Sequence, residues 1–226
     1  MEFDLVSIWT HMNIFVKVIT IGMLGMSVWS FYVIFERFLT FGAASQQNLR
    51  YVQQLGEYLR QHRVSDALSA AKTMNKSPVA RVMESGLGAL TQGREALSKS
   101  GPSDVGNFDL VDAVNRALER VKERETSDLR KGLAFLGTVA SSTPFIGLLG
   151  TVIGIINAFQ LLKGGGTIDT IGPAIAEALI ATAVGLGVAI IAAMAFNYFT
   201  SRVEKFVVDL NDVSSEFVDY VLKEGR

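Results

Sequence analysis

IGPAIAEALIATAVGLGVAIIAAMAFNYF, residues 171–199, contains Glu177 and no other Asp, Glu, Lys, Arg or His. Within it, Ile175 to Phe196 supplies about twenty apolar or small positions, enough at about 1.5 Å per residue to cross the ~30 Å hydrocarbon core of a bilayer. Glu177 therefore lies at or within one end of a membrane span. An acid near the bilayer centre is costly, so intramembrane carboxylates face a bundle interior or a wet cavity and mark ion pathways or proton relays. A plainer reading also fits: Pro173 reads as a helix start, only four residues before Glu177, which makes the acid a helix-end charge in the headgroup layer.

Composition sets the class around this span. The chain has 226 residues, 49% of them hydrophobic, and a mean hydropathy of +0.32. With three long apolar blocks, that is a membrane protein. A net charge of −1 points to neither nucleic acid nor an acidic ligand. The absence of cysteine removes disulfides, thiolate catalysis and Cys-ligated metal.

The arm 1–13 has Glu2, Asp4 and His11 but no Lys or Arg, unlike the basic start of a cleaved signal peptide. A first span follows over 14–35. Its charge, Lys17, is near enough to one end to snorkel, and Trp29 and Tyr32 approach the other end as interfacial anchors. Glu36 and Arg37 close it.

The region 36–132 is polar, with fifteen Lys/Arg against twelve Asp/Glu. Residues 46–63 and 64–72 read as two helices, and Ser77-Pro78-Val79-Ala80-Arg81 as the start of another. Gly101-Pro102-Ser103 reads as a loop. Val111, Val114, Leu118 and Val121 recur at three- and four-residue steps, an apolar stripe that packs against neighbouring helices. Lone His62 reads as a surface residue rather than a metal ligand.

The second span, 133–162, is rich in small and hydroxyl residues. Gly147, Gly150, Thr151, Gly154 and Ala158 share one face, which lets backbones approach closely. Pro144 removes one N–H, and adjacent hydroxyls or water are expected to satisfy the carbonyl it frees. Helix packing and a polar pore lining fit this pattern about equally well. The 163–172 turn has Gly164-Gly165-Gly166 but lacks the preceding strand and following Lys-Ser/Thr of a phosphate loop.

The third span, 173–200, carries a small-residue face that includes Ala178, Ala181, Thr182 and Gly185. Glu177 and Thr182 are five residues apart, about 140° around the helix, so they cannot meet one partner side by side. They can border one cavity at two heights. Beyond it, 201–226 continues as a helix with an apolar seam through Val203, Phe206, Leu210, Val213, Phe217 and Tyr220. Nineteen of the twenty-one Lys/Arg lie in 36–132 and this tail. By the positive-inside rule those segments are cytoplasmic and the N-terminus is outside. The expected class is an all-α membrane protein, with three transmembrane helices and long cytoplasmic helical extensions. No nucleophile, metal cluster or nucleotide motif suggests an enzyme, and no inverted repeat suggests a secondary transporter.

Two stretches carry a resemblance. Ser142-Thr143-Pro144-Phe145-Ile146-Gly147-Leu148-Leu149-Gly150-Thr151-Val152-Ile153-Gly154 resembles the second-span signature of the MotA/TolQ/ExbB proton-channel proteins. Ile175 to Leu186 resembles the third-span signature, and Glu36-Arg37 and Ser77 to Arg81 also fit the TolQ/ExbB pattern. The resemblance implies a homopentameric ring in the bacterial inner membrane, working with a TolR/ExbD-like single-span partner, two copies in the pore, whose Asp is essential. It implies no cofactor beyond the transported proton. Glu177 and Thr182 match the channel-lining Glu and Thr. Ser142 stands where the family usually has Thr and Thr143 is its neighbour, so the resemblance leaves open which lines the pore. Ile191 replaces a frequent proline. The implied function is a proton-channel stator that drives Tol-Pal, TonB-dependent transport or gliding motility. A non-conducting scaffold is the alternative.

Overall fold

The computed structural model describes residues 13–99 and 109–224. The Gly101-Pro102-Ser103 loop and residues 1–12 of the arm lie outside them. Among the described residues six helices follow in order: α1 Ile14–Arg60, α2 Val64–Thr73, α3 Pro78–Lys99, α4 Leu110–Leu129, α5 Leu133–Lys163 and α6 Ile168–Glu224. Three of these described segments are long and apolar enough to cross a membrane. The chain divides into an apolar unit, residues 1–36 and 132–199, and a polar unit, residues 37–131 and 200–226.

The first apolar stretch and the polar residues after it share one helix: α1 runs on through Glu36 and Arg37 to Arg60, because those charges mark a change of solvent and not a loss of helical propensity. One boundary differs from the sequence expectation. The third apolar helix begins at Ile168, five residues before Pro173. The turn therefore shrinks to residues 164–167, and Glu177 becomes the tenth residue of α6. Pro173 lies inside α6 as its sixth residue and so forgoes one intrahelical bond, to the carbonyl four residues earlier.

In the apolar unit, α5 and α6 approach almost backbone to backbone. A Cβ on Gly147 would stand 3.0 Å from the Thr182 Cα, and one on Gly154 would stand 2.6 Å from the Ala178 Cβ. One on Gly150 would be 3.0 Å from the Ala181 Cβ. Around these contacts Val16, Met23 and Ala181 form one buried cluster and Val139, Val188 and Ala192 another. Gly132 enters α5 with φ +77° and lies against Val33, where a Cβ would come within 2.8 Å of Cγ1.

The hydroxyls around Pro144 do not satisfy the carbonyl of Ala140 that the proline frees. Ser141 and Ser142 donate to Thr138 O, and Thr143 donates to Val139 O. Such back-bonding within one turn is the ordinary habit of Ser and Thr inside a helix.

In the polar unit, α1 ends by setting His62 at φ +55°. The Arg63 N–H returns to Tyr58 O and the His62 N–H to Leu59 O, the paired bonds of a Schellman cap. The His62 imidazole is exposed, and Nδ1 lies 2.5 Å from a carboxylate oxygen of Glu224. Tyr220 and Arg94 also donate to Glu224. Burial alone would raise that carboxyl, but the hydrogen bonds from Tyr220, His62 and Arg94 outweigh it and hold it down to about 2. His62 thus helps tether the last turn of α6.

Ser77 caps α3, its Oγ accepting from the Ala80 N–H at 3.0 Å, and Pro78 takes the first helical position. In α4, Val114 and Leu118 are fully buried. Gly86 of α3 lets them close up, since a Cβ there would be 2.5 Å from Leu118 Cδ2. Arg81 grips the buried Glu125 with two parallel bonds, the Nε one at 2.6 Å. Arg81→Ala leaves that buried carboxylate without its guanidinium partner. The expected loss is about 2–3 kcal/mol, read as a fall of roughly 5–10 °C in the Tm of the detergent-solubilised chain. Arg81→Lys recovers only part of it, lacking the fork.

Candidate proton-pathway site

The apolar unit brings an acid and several hydroxyls between its helices. Glu177 is only 5% exposed, although the unit around it is apolar. Its Oε2 accepts the Asn13 N–H at 3.2 Å. Asn13 is the N-cap of α1, with its own Oδ1 accepting from the Phe15 N–H at 2.9 Å. The carboxylate thus sits at the positive end of a helix dipole, the position at which a helix best compensates an anion.

Thr182 points elsewhere, in keeping with its 140° offset from Glu177. Its hydroxyl donates to Gly147 O at 2.9 Å and lies 3.3 Å from the Thr151 hydroxyl, which itself donates to Leu148 O. Glu177 therefore meets α1, and Thr182 meets α5. Thr143 is completely buried inside the unit, whereas Ser142 is half-buried at its outer side. Thr143 turns its carbonyl toward Gly185, where a Cβ would come within 2.7 Å of that oxygen. Pro144 is half-buried beside it.

Sequence reasoning missed Asn13, whose contribution is a main-chain N–H, and the buried Thr20, whose hydroxyl back-bonds to Val16 O. Among the described residues, no three His, Asp or Glu side chains are grouped to hold a metal.

A buried acid on one apolar helix thus lies beside a close-packed seam with a second helix rich in glycine and hydroxyls. The sequence model of the MotA/TolQ/ExbB proton channel family matches residues 74–212, more than half of the chain, and the chain belongs to this family. It is 44% identical over 118 residues to the Tol-Pal system protein TolQ of Haemophilus influenzae, 51% of this chain and 52% of that one. To the biopolymer transport protein ExbB of Xanthomonas campestris pv. campestris it is 42% identical over 108 residues, 44% of this chain and 43% of that one. The chain thus spans about half the length of these two relatives. Against ExbB of Salmonella typhimurium the identity is 30% over 224 residues, 96% of this chain and 86% of that one.

Proposed function

We propose that this chain is the channel-forming stator subunit of an inner-membrane motor that turns proton motive force into mechanical work. One observation carries the reading: a carboxylate, Glu177, is enclosed in an apolar helical unit and met by a backbone N–H at the head of α1. Such burial costs several kcal/mol and brings no packing advantage over an apolar side chain. Proton handling accounts for it. Membership of a proton channel family agrees.

The working form is a ring of five copies around two copies of a TolR/ExbD-like single-span partner. The N-terminus is periplasmic and the long helical segments are cytoplasmic. Protons reach the partner's Asp past Glu177, Thr182 and the Ser142-Thr143 pair. Glu177 accepts the proton or guides it electrostatically at the pore mouth. Neutralising the partner's Asp removes its desolvation cost and allows the partner to turn against the ring. Each charge crossing 100 mV releases about 2.3 kcal/mol, comparable to the few-kcal/mol gap between two helix packings. No enzymatic chemistry is involved. The relatives' names support a Tol-Pal or biopolymer-transport system, with TonB-dependent transport and gliding motility as settings for the same machine.

A non-conducting scaffold is the second reading, favoured by the Thr182 hydroxyl being already spent on Gly147 O. Liposomes holding the chain with its partner decide between them. The motor reading expects proton flux that requires both proteins, and flux at the level of empty liposomes would leave the scaffold.

A further inference from the structure

The polar unit holds a cleft of about 840 Å³ between residues 42–52 of α1 and 202–216 of α6. Its lining includes the buried Phe206 and Val213 and the exposed Leu49 and Val52. Asp209, Asp212 and Glu216 line it at helical spacing, against one cation, Arg202, on the same lining. Burial, and then the charge of Asp212, raise the carboxyl of Asp209.

The complement lies on α4. Arg116, Arg120 and Arg124 are exposed at i, i+4 and i+8, on the side away from the buried Val114 and Leu118. Arg116 pairs with Asp112 of its own helix, an exposed contact weak enough to be exchanged. Along their helices the three guanidiniums span eight residues, about 12 Å, and the three acids seven, about 10 Å, so the two rows match in length.

We propose that this cleft receives the α4 arginine stripe of a second copy, pairing Asp209 with Arg124, Asp212 with Arg120 and Glu216 with Arg116. The contact joins two different patches, the kind of interface that builds a ring when the rotation between copies closes. It rests on the ring reading above and names the surfaces that close it.

Because the chain has no cysteine, two differently tagged full-length versions, Arg120→Cys and Asp212→Cys, can be co-expressed with the partner and treated in isolated membranes with a short bismaleimide. Covalent dimers carrying both tags are expected. An intact ring by native mass without such dimers overturns the interface and spares the ring. A monomeric wild-type chain overturns both. Asp212→Arg/Glu216→Arg is expected to lower ring yield at least about tenfold through like-charge contact, and adding Arg116→Glu/Arg120→Glu is expected to restore it. Failure of that restoration gives the cleft to another basic partner and overturns the proposal.

Discussion

Glu177→Gln is expected to abolish proton-driven output while leaving the chain folded and assembled. Glutamine keeps the length of the side chain and an oxygen that can accept the Asn13 N–H, now 3.2 Å from Oε2. It loses the charge and the exchangeable proton. Removing a positioned proton-transfer group costs about a hundredfold or more in rate, and that is the expected fall in proton flux per ring. Glu177→Ala loses as much flux and adds an orphaned N–H at the head of α1, so it should also cost about 1–3 kcal/mol in stability. Flux and native mass measured on the same preparations separate the effects. Full flux in Glu177→Gln would remove the residue from the pathway.

Gly185→Val should be the most damaging substitution for the apolar unit. A Cβ at that position would come 2.7 Å from the Thr143 carbonyl oxygen, 3.2 Å from the Gly147 Cα and 3.2 Å from the Met23 Sδ. Three helices meet there, and two of the obstacles are backbone. No rotamer change relieves a clash with a carbonyl, so α5 and α6 must separate along their small-residue seam. Overpacking a core costs about 1–3 kcal/mol and more when backbone must move, so a loss above about 3 kcal/mol is expected, with low yield of folded protein. Gly187→Ala, two residues on, meets nothing within 4 Å in the chain and serves as the control, with a slight gain in helix propensity. Equal Tm values for the two variants would show that the seam tolerates opening.

The membrane class and the acid at the centre of the site were legible in the sequence for a simple reason. In an apolar run, one charged letter stands out, and the bilayer length sets where the run can begin and end. The glycine face of α5 was equally visible, because 3.6-residue spacing survives in the letters. What the letters leave open is which surface a small face meets. Packing and pore lining share the same composition, and the contact of Gly154 with Ala178 answers that only for the single chain.

Other features escaped for different reasons. Arg81 and Glu125 are 44 positions apart, each one charge among many in a nearly balanced segment, and no periodicity links them. The run of α1 to Arg60 was hidden because hydropathy reports the solvent a helix meets, not whether the helix goes on. Pro173 misled in the opposite direction: proline is common at a helix start, yet here it stands inside α6, at its sixth residue. His62 gave no sign of its left-handed backbone, since glycine is the usual letter there.

Since it is a main-chain amide that faces Glu177, exchanging side chains along the first span leaves that group in place. A saturation scan would score position 13 for its capping oxygen and miss the amide, except in the variant bearing proline. An amide-to-ester replacement at that bond would weigh the interaction by itself.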